Sequence, residues 1–65
     1  MRTLKRVGLC HLVEKSVPQD GTHHPVYEVV LEGEGVMHRS SNLSDATAYF
    51  HMLLGEEDKL PSDND

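Results

Sequence analysis

The chain has 65 residues, of which 37% are hydrophobic, 26% charged and 5% aromatic, and its net charge is −5. That is enough for one small domain, and it excludes collagen-like, membrane-spanning and disulfide-scaffold proteins, since Cys10 is the single cysteine. A chain this short buries a small share of its surface, and such domains usually make up the deficit with disulfides, a metal or oligomerisation.

The N-terminal stretch Met1-Arg2-Thr3-Leu4-Lys5-Arg6 is basic, but the run after it is interrupted by His11 and Glu14 and lacks a small-residue cleavage pattern, so it does not read as a signal peptide. No segment nears the roughly 20 apolar residues of a membrane span. With one thiol, a cytoplasmic protein is expected.

Residues 3–17 read as a strand. Val7, Leu9, Val13 and Val17 share one parity, Leu4, Cys10 and Leu12 the other, and the β-branched residues favour strand over helix. Gly8 marks a bulge or a close backbone approach. Residues 18–25 read as a turn or loop: Pro18 presets φ, Asp20-Gly21 is a strong turn pair, and Pro25 pushes His24 toward extended geometry. Residues 26–32 alternate, with Tyr27, Val29 and Leu31 opposite Val26, Glu28, Val30 and Glu32. Gly33-Glu34-Gly35 is a tight reversal, and residues 36–40 form a short third strand. Residues 42–54 are the one helix, with Asn42 as N-cap, Asp45 in the first turn, and Leu43, Ala46, Phe50 and Leu53 at helical spacing. Gly55 is the natural C′ residue. Residues 56–65 are acidic and nearly devoid of apolar side chains, and read as a solvated tail.

These elements predict an α+β fold: a three-stranded antiparallel β-meander, one C-terminal α-helix and a disordered acidic tail. Residues 1–55 are the domain and 56–65 the tail. The helix covers one sheet face, taking Val7, Leu9, Val13, Tyr27, Val29 and Leu31 against Leu43, Ala46, Phe50 and Leu53. The other face then shows Cys10, Leu12, Val26, Val30 and Met37, which is too apolar to stay in water. Those residues are the expected partner-binding surface, and a second copy of the chain is the expected occupant, because one self-complementary patch suffices for a two-fold dimer.

No constellation carries catalysis. Of the five histidines, none falls in a His-x-x-x-His pair, and Cys-x-x-Cys is absent, so no metal is expected. Cys10 and His11 are strand neighbours that point apart. Ser40, Ser41 and Ser44 lie beside the helix start without a nucleophile elbow, and read as capping residues. Gly33 and Gly35 precede no helix, so they are not a phosphate loop. A non-enzymatic, cofactor-free protein-binding regulator or adaptor is therefore expected. The alternative is a nucleic-acid-binding domain using Arg2, Lys5, Arg6 and Arg39 as one basic patch, should their strands lie on one side. Glu28 and Glu32 on the middle strand would then face the phosphates. A third reading, an acidic mimic of DNA built on Glu28, Glu32 and the tail, has only a modest net charge behind it.

Overall fold

The computed structural model describes residues 1–55. The chain forms β1 (Arg2–Val7), β2 (Cys10–Gln19), β3 (Thr22–Leu31), β4 (Gly35–Ser40) and α1 (Leu43–Leu53). The fold is α+β, an antiparallel meander followed by one helix, but with four strands in the order β1-β2-β3-β4 where three were expected. The acidic tail predicted over 56–65 lies outside the described residues.

The additional strand arises because residues 3–17 divide at Gly8-Leu9. Gly8 has φ +59°, and Val7 pairs directly with Cys10. A positive φ at the first central residue of a two-residue loop is the geometry of a type II′ hairpin turn, which glycine adopts without strain. Gly8 therefore turns the chain, and the irregularity in β1 lies earlier, between Thr3 and Lys5. This turn also corrects the face assignment. Val7 and Cys10 share a face although their numbers differ in parity, so a parity count carried through Gly8 exchanges the two sides of β2.

Residues 18–25 are not a loop. Asp20 and Gly21 both have positive φ, 53° and 80°, the signature of a type I′ turn that matches the twist of the strands it joins. The β2–β3 ladder runs unbroken from Cys10↔Leu31 to Gln19↔Thr22. The β1 pairing stops at Glu14 and the β4 pairing at Tyr27. Residues 15–26 thus project as a two-stranded arm whose outer sides have no neighbouring strand among the described residues. That is where Pro18 and Pro25 can sit in a sheet, since the missing N–H need not cost a ladder bond.

The helix starts as expected. The Asp45 N–H donates to Asn42 Oδ1 at 3.1 Å, which satisfies one of the free donors of the first turn. Gly55, at φ +75°, ends it, with its N–H donating to the Met52 carbonyl at 3.0 Å. The helix packs across β2, β3 and β4. Cys10, Leu12 and Val29 of the sheet meet Ala46 and Phe50, with Leu4, Tyr27, Leu31, Tyr49, Leu53 and Leu54 closing around them. Phe50, Leu12 and Val29 are the largest fully buried side chains, each stabilising the fold by about 1.5–3 kcal/mol. Val7, Leu9 and Leu43, expected in this core, are exposed. Val13, also expected there, is buried on the opposite side of the sheet.

Candidate interaction surface

Strand alternation sends His11, Val13, Lys15 and Val17 of β2 to the side away from the helix. The cross-strand register places Val30 beside His11, Glu28 beside Val13, Val26 beside Lys15 and His24 beside Val17. From β4, Val36 pairs with Val30 and Arg39 with Glu28; from β1, Thr3 pairs with Val13. The result is a valine-rich face with no element of the described chain laid over it. It holds a shallow depression of about 370 Å³, floored by Val13 and Val30 and bounded by Thr3, Glu28, Glu32 and Val36. Val17, Val26 and Val30 are half-buried, and Val36 is exposed.

A carboxylate lies at the centre of this face. The Glu28 side chain is only 5% exposed, and it is held between Lys15 Nζ at 3.2 Å and Arg39 Nε at 3.3 Å. A carboxylate this buried requires compensation, and two cations supply it. One negative charge answers two positive ones, so the group as a whole is cationic. Toward the hairpin end of the same face, His11 Nε2 lies 2.7 Å from Glu32 Oε2. Arg6 of β1 stands opposite His11 in the register, so this end of the face carries a cation as well as the Glu32 carboxylate.

The residues expected to bind a partner divide between the two sides. Cys10 and Leu12, at 4% and 2% exposure, are core residues under the helix, because the Gly8 turn exchanges parity. Burial pushes the Cys10 thiol above its ordinary pKa, so it acts as a small apolar filler. Val26 and Val30 do lie on the helix-free face. Met37 sits in the β4 irregularity opposite Val29 and Val30 and is exposed. Val13, Val17 and Val36 are members of the face that parity counting missed. Asp20-Gly21 flanked by alternating residues was the signal that could have revealed the long hairpin.

The basic residues do not converge. Arg2, Lys5 and Arg6 are on β1 and Arg39 on β4, at opposite edges of the sheet with β2 and β3 between them. Arg2 Nη2 is 2.9 Å from Glu14 Oε1, and Arg39 is paired with Glu28. Among the described residues, only Lys5 and Arg6 of this set carry no ion pair. Glu28, expected to point outward, is buried.

On the helix side, His38 Nε2 lies 2.8 Å from Asp45 Oδ2, and its ring stacks on Tyr49 with centroids 4.4 Å apart. The hydrogen bond with His38, helped by one with Ser40, holds the Asp45 carboxyl below its ordinary pKa. The cluster ties β4 to the first turn of α1. Among the described residues, no group of three or more His, Cys, Asp or Glu converges as a metal site would need, and no helix is long and apolar enough to cross a membrane.

Fold and surface together define a small α+β domain in which, among the described residues, one sheet face is covered and the other is not. Comparison with protein-family models, with curated proteins and with solved structures gives no match.

Proposed function

We propose that the chain is a non-enzymatic protein-binding regulator or adaptor of the cytoplasm that works through the helix-free face of its sheet. The observation that carries this reading is the valine-rich face around Val13 and Val30, built on paired strands and left without a covering element among the described residues. Large aliphatic side chains gain about 1.5–3 kcal/mol each on full burial, so such a face is stabilised by a protein that covers it. Polar groups at its margin, Lys15, Arg39 and Glu32, give the surrounding rim that protein interfaces use for orientation. The cations are dispersed over opposite sheet edges, and Arg2, Lys15 and Arg39 are ion-paired, which favours a protein partner over nucleic acid.

The test is retention on the immobilised full chain, at low and at high salt, with Val30→Lys as the control. A tagged copy of the chain and an extract of host protein are offered, and duplex DNA is tested by gel shift. Retention of a protein that persists at high salt and is lost with Val30→Lys supports the reading, because that substitution puts a charge where apolar area is buried. Retention that Val30→Lys leaves intact overturns it. So does a DNA complex that forms at low salt and dissolves steeply as salt rises.

A further inference from the structure

We infer that the strip of sheet left open beside α1, along β1, is a docking site for the chain's own acidic segment after Gly55, residues 56–60, which its carboxylates and Leu60 hold there. This strip is on the helix side, separate from the helix-free face, and does not depend on the protein-binding reading.

The helix packs over β2, β3 and β4 and stops short of β1. The register sets Lys5 beside Leu12 and Val7 beside Cys10. Leu12 and Cys10 are core residues under the helix, so Lys5 and Val7 stand on the helix side, one strand beyond its cover. Leu4 reaches the core from the same strand and is half-buried, whereas Val7 is 52% exposed. The result is a ledge with the helix as its wall and an apolar side chain left open on it. β1 holds three cations and no carboxylate. Arg2 is paired with Glu14, and Arg6 faces the other side of the sheet, beside His11. Lys5 is exposed on the ledge and has no ion pair among the described residues.

The residues after the helix complement this ledge. Gly55 ends α1, and Glu56, Glu57 and Asp58 follow it directly, then Lys59 and Leu60, the one large aliphatic residue of 56–65. Carboxylates just past a helix C-terminus are disfavoured by the helix dipole, and a nearby cation offsets that cost. Leu53 and Leu54, at the end of the helix, pack against the core, so the segment starts over the sheet on the side of the ledge. Five residues span up to about 17 Å, and four strands measure roughly 14 Å from first to last, so β1 is within reach. A carboxylate then meets Lys5, and Leu60 covers Val7. A segment joined by so short a connection acts at an effective concentration on the order of millimolar. That favours the chain's own segment over a separate acidic peptide or the segment of a second copy. Docked there, it also shields the edge of β1, which has a strand on one side only among the described residues.

The experiment is paramagnetic broadening of amide signals in the full chain, with a nitroxide on the thiol of Ser62→Cys; Cys10 is 4% exposed and stays unlabelled. Circular dichroism confirms that each variant folds. The Lys5 and Val7 signals should broaden, and those of Arg39 and Ser40 on the far edge strand should stay sharp. Lys5→Glu, or Glu56→Lys with Glu57→Lys, should each cut the β1 broadening at least about twofold, because like charges then face each other. Leu60→Asp should do the same through lost apolar contact; this variant and the Glu56 and Glu57 pair change only residues after the helix, so they test the contact without touching the core. Broadening equal on β1 and β4, or β1 broadening that all these folded variants leave unchanged, overturns the inference. So does β1 broadening that appears in an isotope-labelled chain without nitroxide when it is mixed with nitroxide-bearing chains, since the occupant is then the segment of a second copy.

Discussion

Glu28 is held by cations that remain largely in water: its own side chain is 5% exposed, against 41% for Lys15 and 59% for Arg39. That asymmetry decides what each substitution costs. With Glu28→Gln, both cations can turn to solvent, and the expected loss is about 1 kcal/mol. With Lys15→Met and Arg39→Met together, the carboxylate is left buried and unpaired, and the expected loss is about 3 kcal/mol. Urea denaturation of the two variants checks the order. Asp45 gives a pH prediction. Its folded pKa is depressed by the His38 and Ser40 hydrogen bonds, so its contribution is present above the unfolded carboxyl value of about 3.9 and is lost as pH falls through the lower folded value. Asp45→Asn should therefore be less stable than wild type at neutral pH, and the difference should close in acid below about pH 4. Thermal melts across that range would show it.

At the scale of elements, the hairpins and the helix depend on a few special positions. Gly8 has open space around it, so Gly8→Ala meets no steric clash and its cost comes from φ +59° alone. About 1 kcal/mol is expected, and loss of the β1 amide protection in hydrogen exchange should exceed loss in β3, because β1 has only β2 as a neighbour. Asn42→Ala removes the acceptor for the Asp45 N–H and should cost about 1 kcal/mol. Phe50→Ala is of another order. It empties the centre of the helix–sheet core at an expected cost of about 3–5 kcal/mol, comparable with the whole stability of a domain this size, so near-UV and far-UV circular dichroism should both collapse.

For the molecule as a whole, coupling of folding to partner binding has a signature that needs no variant of the core. Anything that binds the native state and not the unfolded one raises the melting temperature by mass action. The wild-type melting temperature should rise when a protein that covers the helix-free face is added, and that of Val30→Lys should not. A wild-type melt that such a protein leaves unchanged would contradict the protein-binding reading.

Amino-acid order by itself determined the class of fold, the helix and its caps, the β3 alternation and the reversal at Gly33, because capping, periodicity and glycine chemistry are local. It placed Tyr27, Val29 and Leu31 under the helix and Val26 and Val30 away from it. Tertiary structure alone decided the sides of β2. A two-residue turn at Gly8 exchanges parity, so Cys10 and Leu12 went to the core and Val13 to the free face. It also decided the arm over residues 15–26, where prolines that suggest a loop are accommodated by strands lacking outer neighbours. The pairing of Glu28 with both Lys15 and Arg39 was likewise out of reach of the sequence. It requires cross-strand register on both sides of β3, and register depends on turn geometry and on which face the helix buries.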